Sequence, residues 1–272
     1  MTLARTDIAA IAARLISAQD RVATLAPITA TEPTFDVAAG YDVLREIETR
    51  RMSGGWIPVG RKIGFTNRTI WPRYGVYEPI WGTVYDRTST LSSGNRARVR
   101  LQGLVQPRIE PEICFGLKAP PPRSRDPHAI LAAVDWVAHA VEIVQCFHPG
   151  WKVTLPDSTT ANGLHGRLIL GEQIPVSRFR GLEWRLPKIE VTLRKGDKAV
   201  DKGYGLNVLD SPLFALSHLV EVLAMQPEFD QLHAGEMVTT GTLTDAHPVK
   251  AGETWSTAFN GLPLPGLTIA FK

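Results

Sequence analysis

Two amphipathic helices are predicted at the start of the chain from the spacing of its apolar residues. Apolar side chains recur at helical spacing along residues 6–23, and again from about residue 34 or 36 to residue 52. Ser53, Gly54 and Gly55 follow directly, and glycines at this place are typical of a helix end. We therefore expect a helical N-terminal region over residues 1–55.

From residue 56 onward the pattern predicts strands. Short runs rich in Val, Ile, Thr and aromatic residues alternate with Gly and Pro. Two further helices are predicted, from Asp126 to about Trp136 and from Ser211 through Ala224. The predicted strands span residues 57–66, 81–85, 98–106, 109–117, 138–146, 166–170, 184–194, 236–242, 254–259 and 267–271.

Many strands with few helices exclude a regular βαβ repeat. They favour an α+β fold built around a curved, mixed β-sheet or roll. We expect residues 56–272 to form this β-roll, and the helical N-terminal region to belong to the same structural unit.

Composition narrows the class of protein. The 272 residues are 44% hydrophobic and 21% charged, which is typical of a globular chain. A net charge of +3 argues against nucleic acid as a partner. No run approaches the roughly 20 apolar residues that a membrane span needs, and two cysteines cannot build a disulfide framework. We expect a cytoplasmic protein that contacts no membrane.

The segment from Pro107 to Phe115 carries the first candidate chemistry. In a strand, the period of two places Arg108, Glu110, Glu112 and Cys114 on one face and Pro111 on the other. We therefore expect this strand to be an edge strand or to be bulged at Pro111. Two neighbouring carboxylates repel each other unless a cation lies between them. A solvated face with an Arg108–Glu110 pair is the alternative.

A third carboxylate lies in an almost continuous apolar strand. By alternation Glu142 shares its face with Ala140 and Val144, so it is predicted to be buried. A buried carboxylate requires a cationic partner or a metal. Three carboxylates without Cys or His make an oxygen-only site, which suits Mg²⁺ or Mn²⁺. A salt bridge is the alternative.

Lys62 is the candidate proton carrier. It lies in a predicted strand between Gly60 and Gly64. Desolvation and a nearby cation would depress the pKa of an inward-pointing lysine toward neutrality, which suits proton exchange. A solvent-facing strand lysine is the alternative.

Several motifs in fixed order resemble one family. From about residue 40 to the end, the chain resembles the 2-keto-4-pentenoate hydratase and 4-oxalocrotonate decarboxylase group of the fumarylacetoacetate hydrolase superfamily. The motifs lie at residues 62–66 (KIGFT), 75–82 (GVYEPIWG), 107–112 (PRIEPE), 141–144 (VEIV), 208–213 (VLDSPL) and 234–242 (AGEMVTTGT).

The resemblance implies a mixed β-roll like the C-terminal part of fumarylacetoacetate hydrolase, a homo-oligomer, and a small 2-oxo acid as substrate in aromatic catabolism. It implies Mg²⁺ or Mn²⁺ held by Glu110, Glu112 and Glu142, with Lys62 as the catalytic residue. A complex with another enzyme of the pathway is a further expectation. The implied substrate-binding residues are Arg108, Asp157, Asn162, Thr240 and Gly241.

Departures from the family pattern bear on the reaction. Hydratases of the group carry an acidic residue where this chain has Ile80, and Ala161 and Leu164 replace an Asp and a Ser of the group. His165 and Arg167 are candidates for the substrate's tail, or else surface residues. Hydration of a 2-oxo-enoate is the leading hypothesis, and decarboxylation of 4-oxalocrotonate is the alternative.

Two other hypotheses concern a different reaction and a protein without activity. Hydrolysis of an acylpyruvate needs a Glu–His pair on a short helix, which the sequence does not show. A non-enzymatic member of the fold would have no reason to keep three carboxylates and the lysine.

Overall fold

The two expected N-terminal helices are present. The computed structural model describes residues 5–272, with the backbone alone at residues 5, 6 and 74. The helices are α1 Arg5–Asp20, α2 Val37–Ser53, α3 Trp71–Tyr74, α4 Pro127–Ala132, α5 Leu155–Thr160, α6 Leu182–Arg185 and α7 Pro212–Ala224.

Helix boundaries follow the capping chemistry that the sequence predicts. The Asp36 side chain accepts a hydrogen bond from Ala39 N at 2.8 Å at the start of α2, and Gly54 ends that helix. Ser211 accepts from Leu213 N at 3.3 Å at the start of α7. Among the described residues, none of the helices combines the length and apolarity that a bilayer crossing requires.

Two mixed β-sheets make up the rest of the fold, which confirms the α+β prediction. The larger has the order β2-β1-β11-β5-β6-β7-β3, with β12 paired to β5 and β8 to β6, and the smaller has the order β10-β9-β13-β14-β4. The strands are β1 Pro58–Gly64, β2 Ile80–Tyr85, β3 Ser89–Leu91, β4 Arg96–Val99, β5 Arg108–Leu117, β6 Val134–Val144, β7 His165–Leu170, β8 Ile174–Pro175, β9 Glu190–Lys195, β10 Lys198–Tyr204, β11 Met237–Thr242, β12 His247–Pro248, β13 Thr254–Asn260 and β14 Thr268–Phe271.

Apolar side chains from both sheets pack together, which fixes the faces of the central strands. Ile109 of β5 and Val141 of β6 share a buried cluster with Leu193 and Trp255 of the smaller sheet. Because side chains alternate along a strand, the even-numbered residues of β5 and β6 point to the opposite face. Cys114 lies on this opposite face of β5 and belongs to a separate buried apolar cluster.

Three predicted elements have different boundaries in the structure. The helix predicted through Trp136 ends at Ala132, because Trp136 pairs with Gly116 of β5 as part of β6. The strand predicted over residues 98–106 ends at Val99, and Gly103 (φ 88°) lies in a turn. The strand predicted over residues 184–194 begins only at Glu190, since residues 182–188 form helical turns.

The irregularity expected at Pro111 lies in a neighbouring strand. β5 is an interior strand, paired on one side with β6 and on the other with β11 and β12. Thr239 pairs with Cys114 while Thr242 pairs with Glu112, so β11 holds one extra residue at this place. The prediction of an edge strand is therefore wrong, and the bulge belongs to β11.

Candidate active site

Three carboxylates converge where β5 and β6 pair. Glu110 lies opposite Glu142 in the antiparallel register, and Glu112 lies opposite Ala140. One carboxylate oxygen of each glutamate lies within 4.8 Å of the others. Glu112 and Glu142 are fully buried and Glu110 is half-buried. The predicted convergence of these side chains on one face is confirmed, and burial of two of them contradicts the alternative of a solvated face.

The bulge in β11 positions Glu112. Gly241 N donates a hydrogen bond to Glu112 Oε2 at 2.8 Å, and the hydroxyl of Thr239 donates to the same oxygen. Gly241 has a φ of 101°, and a Cβ there would overlap the Thr66 side chain. Only glycine fits this position. The other oxygen of Glu112, Oε1, is buried and has no hydrogen-bond partner among the described residues.

Glu142 is held from two sides. Its Oε1 lies 2.7 Å from His165 Nδ1, and its Oε2 lies 3.2 Å from Lys62 Nζ. The side chains of all three residues are almost completely buried. The carboxylate plane is therefore fixed by one contact at each oxygen.

Lys62 points inward from β1, as predicted. Its Nζ donates to the carbonyl oxygen of Gly163 at 2.8 Å. A Cβ added to Gly163 would lie 3.0 Å from Lys62 Cδ, and one added to Gly64 would lie 3.3 Å from Nζ. Because these two glycines have no side chain, the extended Lys62 side chain fits between them. The solvent-facing alternative is wrong.

The electrostatics of the cluster show an excess of negative charge. Burial raises the pKa of Glu110 to about 7, and burial together with the Glu142 charge raises the pKa of Glu112 well above its usual range. For Glu142 burial opposes ionisation, but Lys62 and His165 outweigh it and lower the pKa. For Lys62 burial favours the neutral amine, but the three carboxylates outweigh it and raise the pKa.

These features fit a hard divalent cation. Three carboxylates face a single ammonium, and two of their buried oxygens accept no hydrogen bond among the described residues. These are Glu112 Oε1 and Glu142 Oε2, of which the second has only the ion pair with Lys62. Oxygen-only donor sets with excess negative charge suit Mg²⁺ or Mn²⁺. A bound cation is expected to lower the pKa of Lys62. The three carboxylates by themselves have the opposite effect and raise this pKa, because they stabilise the ammonium.

A cleft opens beside Lys62 and Glu110. It encloses about 620 Å³ of non-atom space, counting solvent at its mouth. An Arg73–Asp245 ion pair of 3.0 Å also borders it. Most of the rest of its wall is apolar, from Ile63, Phe65, Ile70, Val144, Trp151, Val153, Leu164 and Ala246.

Three residues with left-handed backbone line this cleft. Phe65, Trp151 and Leu164 line it and have φ values of 56°, 60° and 64°. Each left-handed non-glycine residue costs roughly 1–3 kcal/mol, and such residues cluster at functional sites. The strain supports the cleft as the place where substrate binds.

Comparison with known proteins identifies the family. The chain is 32% identical over 239 residues to the 2-keto-4-pentenoate hydratase of Paraburkholderia xenovorans (strain LB400), covering 88% of this chain and 86% of the relative. The chain belongs to this enzyme family. It is also 31% identical over 265 residues to the 4-oxalocrotonate decarboxylase of Pseudomonas sp. (strain CF600), covering 96% of both.

Solved structures agree with this family at the level of the fold. The 4-oxalocrotonate decarboxylase of Pseudomonas putida G7, complexed with magnesium and adipate, superposes with a TM-score of 0.89 at 27% identity over 100% of this chain and 99% of that one. A putative fumarylacetoacetate hydrolase family protein from Yersinia pestis CO92 has a TM-score of 0.57 at 15% identity, over 79% of this chain and 94% of that one, and supports the superfamily fold alone. No family model matches the chain.

Within the family fold, two of the predicted substrate-binding residues lie beside the carboxylates. Gly241 contacts Glu112 through its backbone, and Thr240 Oγ1 donates to Ile113 O at 2.9 Å. The Arg108 guanidinium stacks 4.0 Å over the ring of Trp151 in the cleft wall. Their substrate contacts stay predictions.

The other two predicted substrate-binding residues contact the protein itself. Asp157 is fully buried and accepts hydrogen bonds from Ile28 N at 2.6 Å and from Thr29 Oγ1 at 2.5 Å. It thereby ties the segment after α1 to α5. The Asn162 amide bonds the backbone of Thr83 in both directions, at 2.7 and 2.9 Å. Neither side chain lines the cleft.

Four residues of the site were not predicted in the role they occupy. Thr239 and Gly163 bond Glu112 and Lys62, and Trp151 forms part of the cleft wall. His165, a candidate for the substrate's tail, bonds Glu142 instead. All four roles depend on contacts between distant segments, for which the local pattern holds no signal.

Proposed function

We propose that this chain is a divalent-metal-dependent lyase that adds water to a 2-oxo-enoate, supplied as the 2-hydroxy-2,4-dienoate. The observation that carries the proposal is the cluster of Glu110, Glu112 and Glu142 with the Lys62 ammonium beside it. The relative from Paraburkholderia xenovorans, named a 2-keto-4-pentenoate hydratase, supports the reaction class.

The three glutamates are the proposed holders of Mg²⁺ or Mn²⁺. When bound, the ion supplies Lewis-acid polarisation of the substrate's C2 oxygen. One oxygen of Glu112 accepts hydrogen bonds from Gly241 N and the Thr239 hydroxyl, and the other oxygen accepts none among the described residues. Hydrogen bonds of this kind orient a carboxylate that binds a metal through its second oxygen.

Lys62 is the proposed proton carrier. Its Nζ gives and takes protons as the dienol becomes the conjugated ketone, after which water adds at C4 to give a 4-hydroxy-2-oxo acid. Gly163 O and Glu142 Oε2, at 2.8 and 3.2 Å, hold Nζ in place. The Glu142 carboxylate also offsets the cost of burying the ammonium.

The apolar cleft wall is proposed to take the substrate's tail. Phe65, Trp151 and Leu164 offer surface to an alkyl or alkenyl group and exclude water from it. We therefore infer a substrate whose carboxylate end lies toward Lys62 and whose other end is apolar.

Decarboxylation is the second candidate, and one residue favours it. Ile80, where hydratases of the group carry an acidic residue, is buried and pairs with Gly64 next to Lys62 in the ladder. It offers no group that could activate water. The whole-chain TM-score of 0.89 to a 4-oxalocrotonate decarboxylase also supports this candidate. That reaction would release CO₂ from a 2-oxo-enedioate.

An absorbance assay tests the proposal. Purified protein with Mg²⁺ should remove the ultraviolet absorbance of 2-hydroxypenta-2,4-dienoate and form 4-hydroxy-2-oxopentanoate, identified by mass spectrometry. Glu112→Gln should abolish turnover, and Lys198→Met, at an exposed lysine on β10, should leave it unchanged.

The same assay with 2-oxohex-3-enedioate and a CO₂ trap separates the two candidates. CO₂ from 2-oxohex-3-enedioate without hydration of 2-hydroxypenta-2,4-dienoate would replace the first proposal with the second. No reaction of either compound with Mg²⁺ or Mn²⁺ would overturn both.

The domain organisation and the assembly of the chain are also proposals. We infer a division into the helical N-terminal region, residues 1–55, and the catalytic β-roll, residues 56–272. A homo-oligomer, a cytoplasmic location and a complex with another enzyme of the pathway stay predictions. Light scattering of the purified protein would test the first of these three.

A further inference from the structure

His165 lies behind the carboxylate cluster, on the side away from the cleft. Its ring is almost completely buried and is absent from the wall of the cleft beside Lys62. It lines a separate cavity under α1 and α2 together with Tyr85 and Thr88. A substrate in the cleft therefore meets Lys62 but not this imidazole.

Both ring nitrogens of His165 have hydrogen-bond partners, and the carboxylate partner places a proton on Nδ1. Nδ1 lies 2.7 Å from Glu142 Oε1 and Nε2 lies 2.8 Å from Thr88 Oγ1. Because an ionised carboxylate only accepts hydrogen bonds, Nδ1 carries a proton and donates it to Glu142 Oε1. The Thr88 hydroxyl itself donates to Tyr85 O at 3.1 Å. Tyr85 N donates to the same hydroxyl oxygen at 3.1 Å, which anchors it to backbone.

The contacts form one continuous line from backbone to the lysine. The turn after β2 holds Thr88, Thr88 holds the imidazole, and the imidazole holds Glu142 Oε1. The other oxygen of Glu142 faces Lys62 Nζ at 3.2 Å. A carboxylate held at one oxygen by a rigid donor cannot rotate about its last bond without losing that hydrogen bond.

We propose that His165 is a positioning residue that fixes the Glu142 carboxylate for both the divalent cation and Lys62. The inference rests on the proposed function, because it takes Glu142 as a metal-holding residue. It predicts that metal binding requires a hydrogen-bond donor at the position of Nδ1, and that a side chain other than imidazole can supply it.

A pair of amide variants isolates that donor. In His165→Asn the side-chain amide can reach the Nδ1 position, and in His165→Gln the longer side chain carries the amide toward Nε2 and Thr88. His165→Leu retains bulk without a donor. His148→Leu is the matched control, because His148 is equally buried but bonds Leu25 O instead of a carboxylate.

Mn²⁺ titration followed by electron paramagnetic resonance gives the primary readout, without turnover. Loss of an outer hydrogen bond to a metal ligand weakens metal binding about 10–100-fold. We expect that loss for His165→Leu and His165→Gln, and a change of less than about threefold for His165→Asn and His148→Leu.

Kinetics at saturating Mn²⁺ gives the second readout. With 2-hydroxypenta-2,4-dienoate, His165→Leu should lower kcat about tenfold with KM unchanged, since the ring does not contact substrate, and His165→Asn should restore kcat. Circular dichroism checks that each variant is folded.

The outcomes separate the two levels of the argument. If the wild-type chain binds Mn²⁺ and folded His165→Leu binds it equally well, the positioning role is wrong and the proposed function stands. An unfolded His165→Leu leaves the decision to His165→Asn against His165→Gln, where equal Mn²⁺ affinities contradict the proposal. A wild-type chain that binds no Mn²⁺ overturns the metal assignment and this inference together.

Discussion

Replacing Lys62 with methionine tests the charge balance of the cluster most sharply. The side chains have similar length, so Lys62→Met removes the ammonium and keeps the packing between Gly64 and Gly163. At the 3.2 Å separation from Glu142, the lost attraction is about 5 kcal/mol at an effective dielectric constant of about 20. Protonation of the carboxylates and the saved burial of the ammonium reduce the net loss to about 3 kcal/mol.

Thermal unfolding measures that loss. In EDTA we expect Lys62→Met to unfold about 6–10 °C below the wild-type chain. Because the removed ammonium also repels a cation, the variant should bind Mg²⁺ more tightly. Mg²⁺ at 100 times its Kd should return about 2.7 kcal/mol and most of the lost stability. The control Lys198→Met should change neither quantity.

A Lys62→Met chain that is as stable as wild type in EDTA would mean that the ammonium does not offset the buried carboxylates. Weaker Mg²⁺ binding by the variant would mean that the lysine and the cation do not share the cluster. In either case turnover of the dienoate should be lost, because no other described group occupies the place of Nζ.

Three further predictions follow from named contacts. Gly241→Ala should lower the free energy of unfolding, measured in urea, by about 3 kcal/mol, because its Cβ would overlap Thr66. The control Gly235→Ala, at φ 90° with open space around it, should lower it by about 1 kcal/mol. Equal losses would contradict the steric argument. Burial lowers the pKa of His139 to about 4, below that of a histidine in the unfolded chain. The free energy of unfolding should therefore fall by roughly 3 kcal/mol as pH falls from 6.5 to 4. His139→Gln should lack this part of the pH dependence, and an identical pH dependence of the variant would refute the prediction. Trp151→Ala should raise KM about tenfold for dienoates with an apolar tail at nearly constant kcat, and an unchanged KM would exclude that wall from the binding site.

The chemistry of the site was predictable where it followed from one strand at a time. The period of two put Glu110 and Glu112 on one face, and the cost of a buried charge made Glu142 and Lys62 stand out. The family motifs added the reaction class. These arguments needed only the alternation along each strand and the apolarity of its neighbours.

Other features depended on pairing between distant segments and could not be read locally. The end of α4 at Ala132 is set by β6 pairing with β5, which overrides the helical pattern through Trp136. The bulge that supplies Gly241 N to Glu112 arises from the register of β11 on β5. The contact of His165 with Glu142 likewise requires β7 to lie beside β6.

Anomalous diffraction from crystals grown with Mn²⁺ and oxalate is the most direct test of the central claim. The account predicts a single strong Mn²⁺ peak between Glu110, Glu112 and Glu142, with one oxygen of each at about 2.0–2.4 Å. Oxalate should lie on the same ion, facing Lys62. A fully occupied Mn²⁺ elsewhere, with Lys62 still bound to Glu142 and no density between the carboxylates, would contradict it.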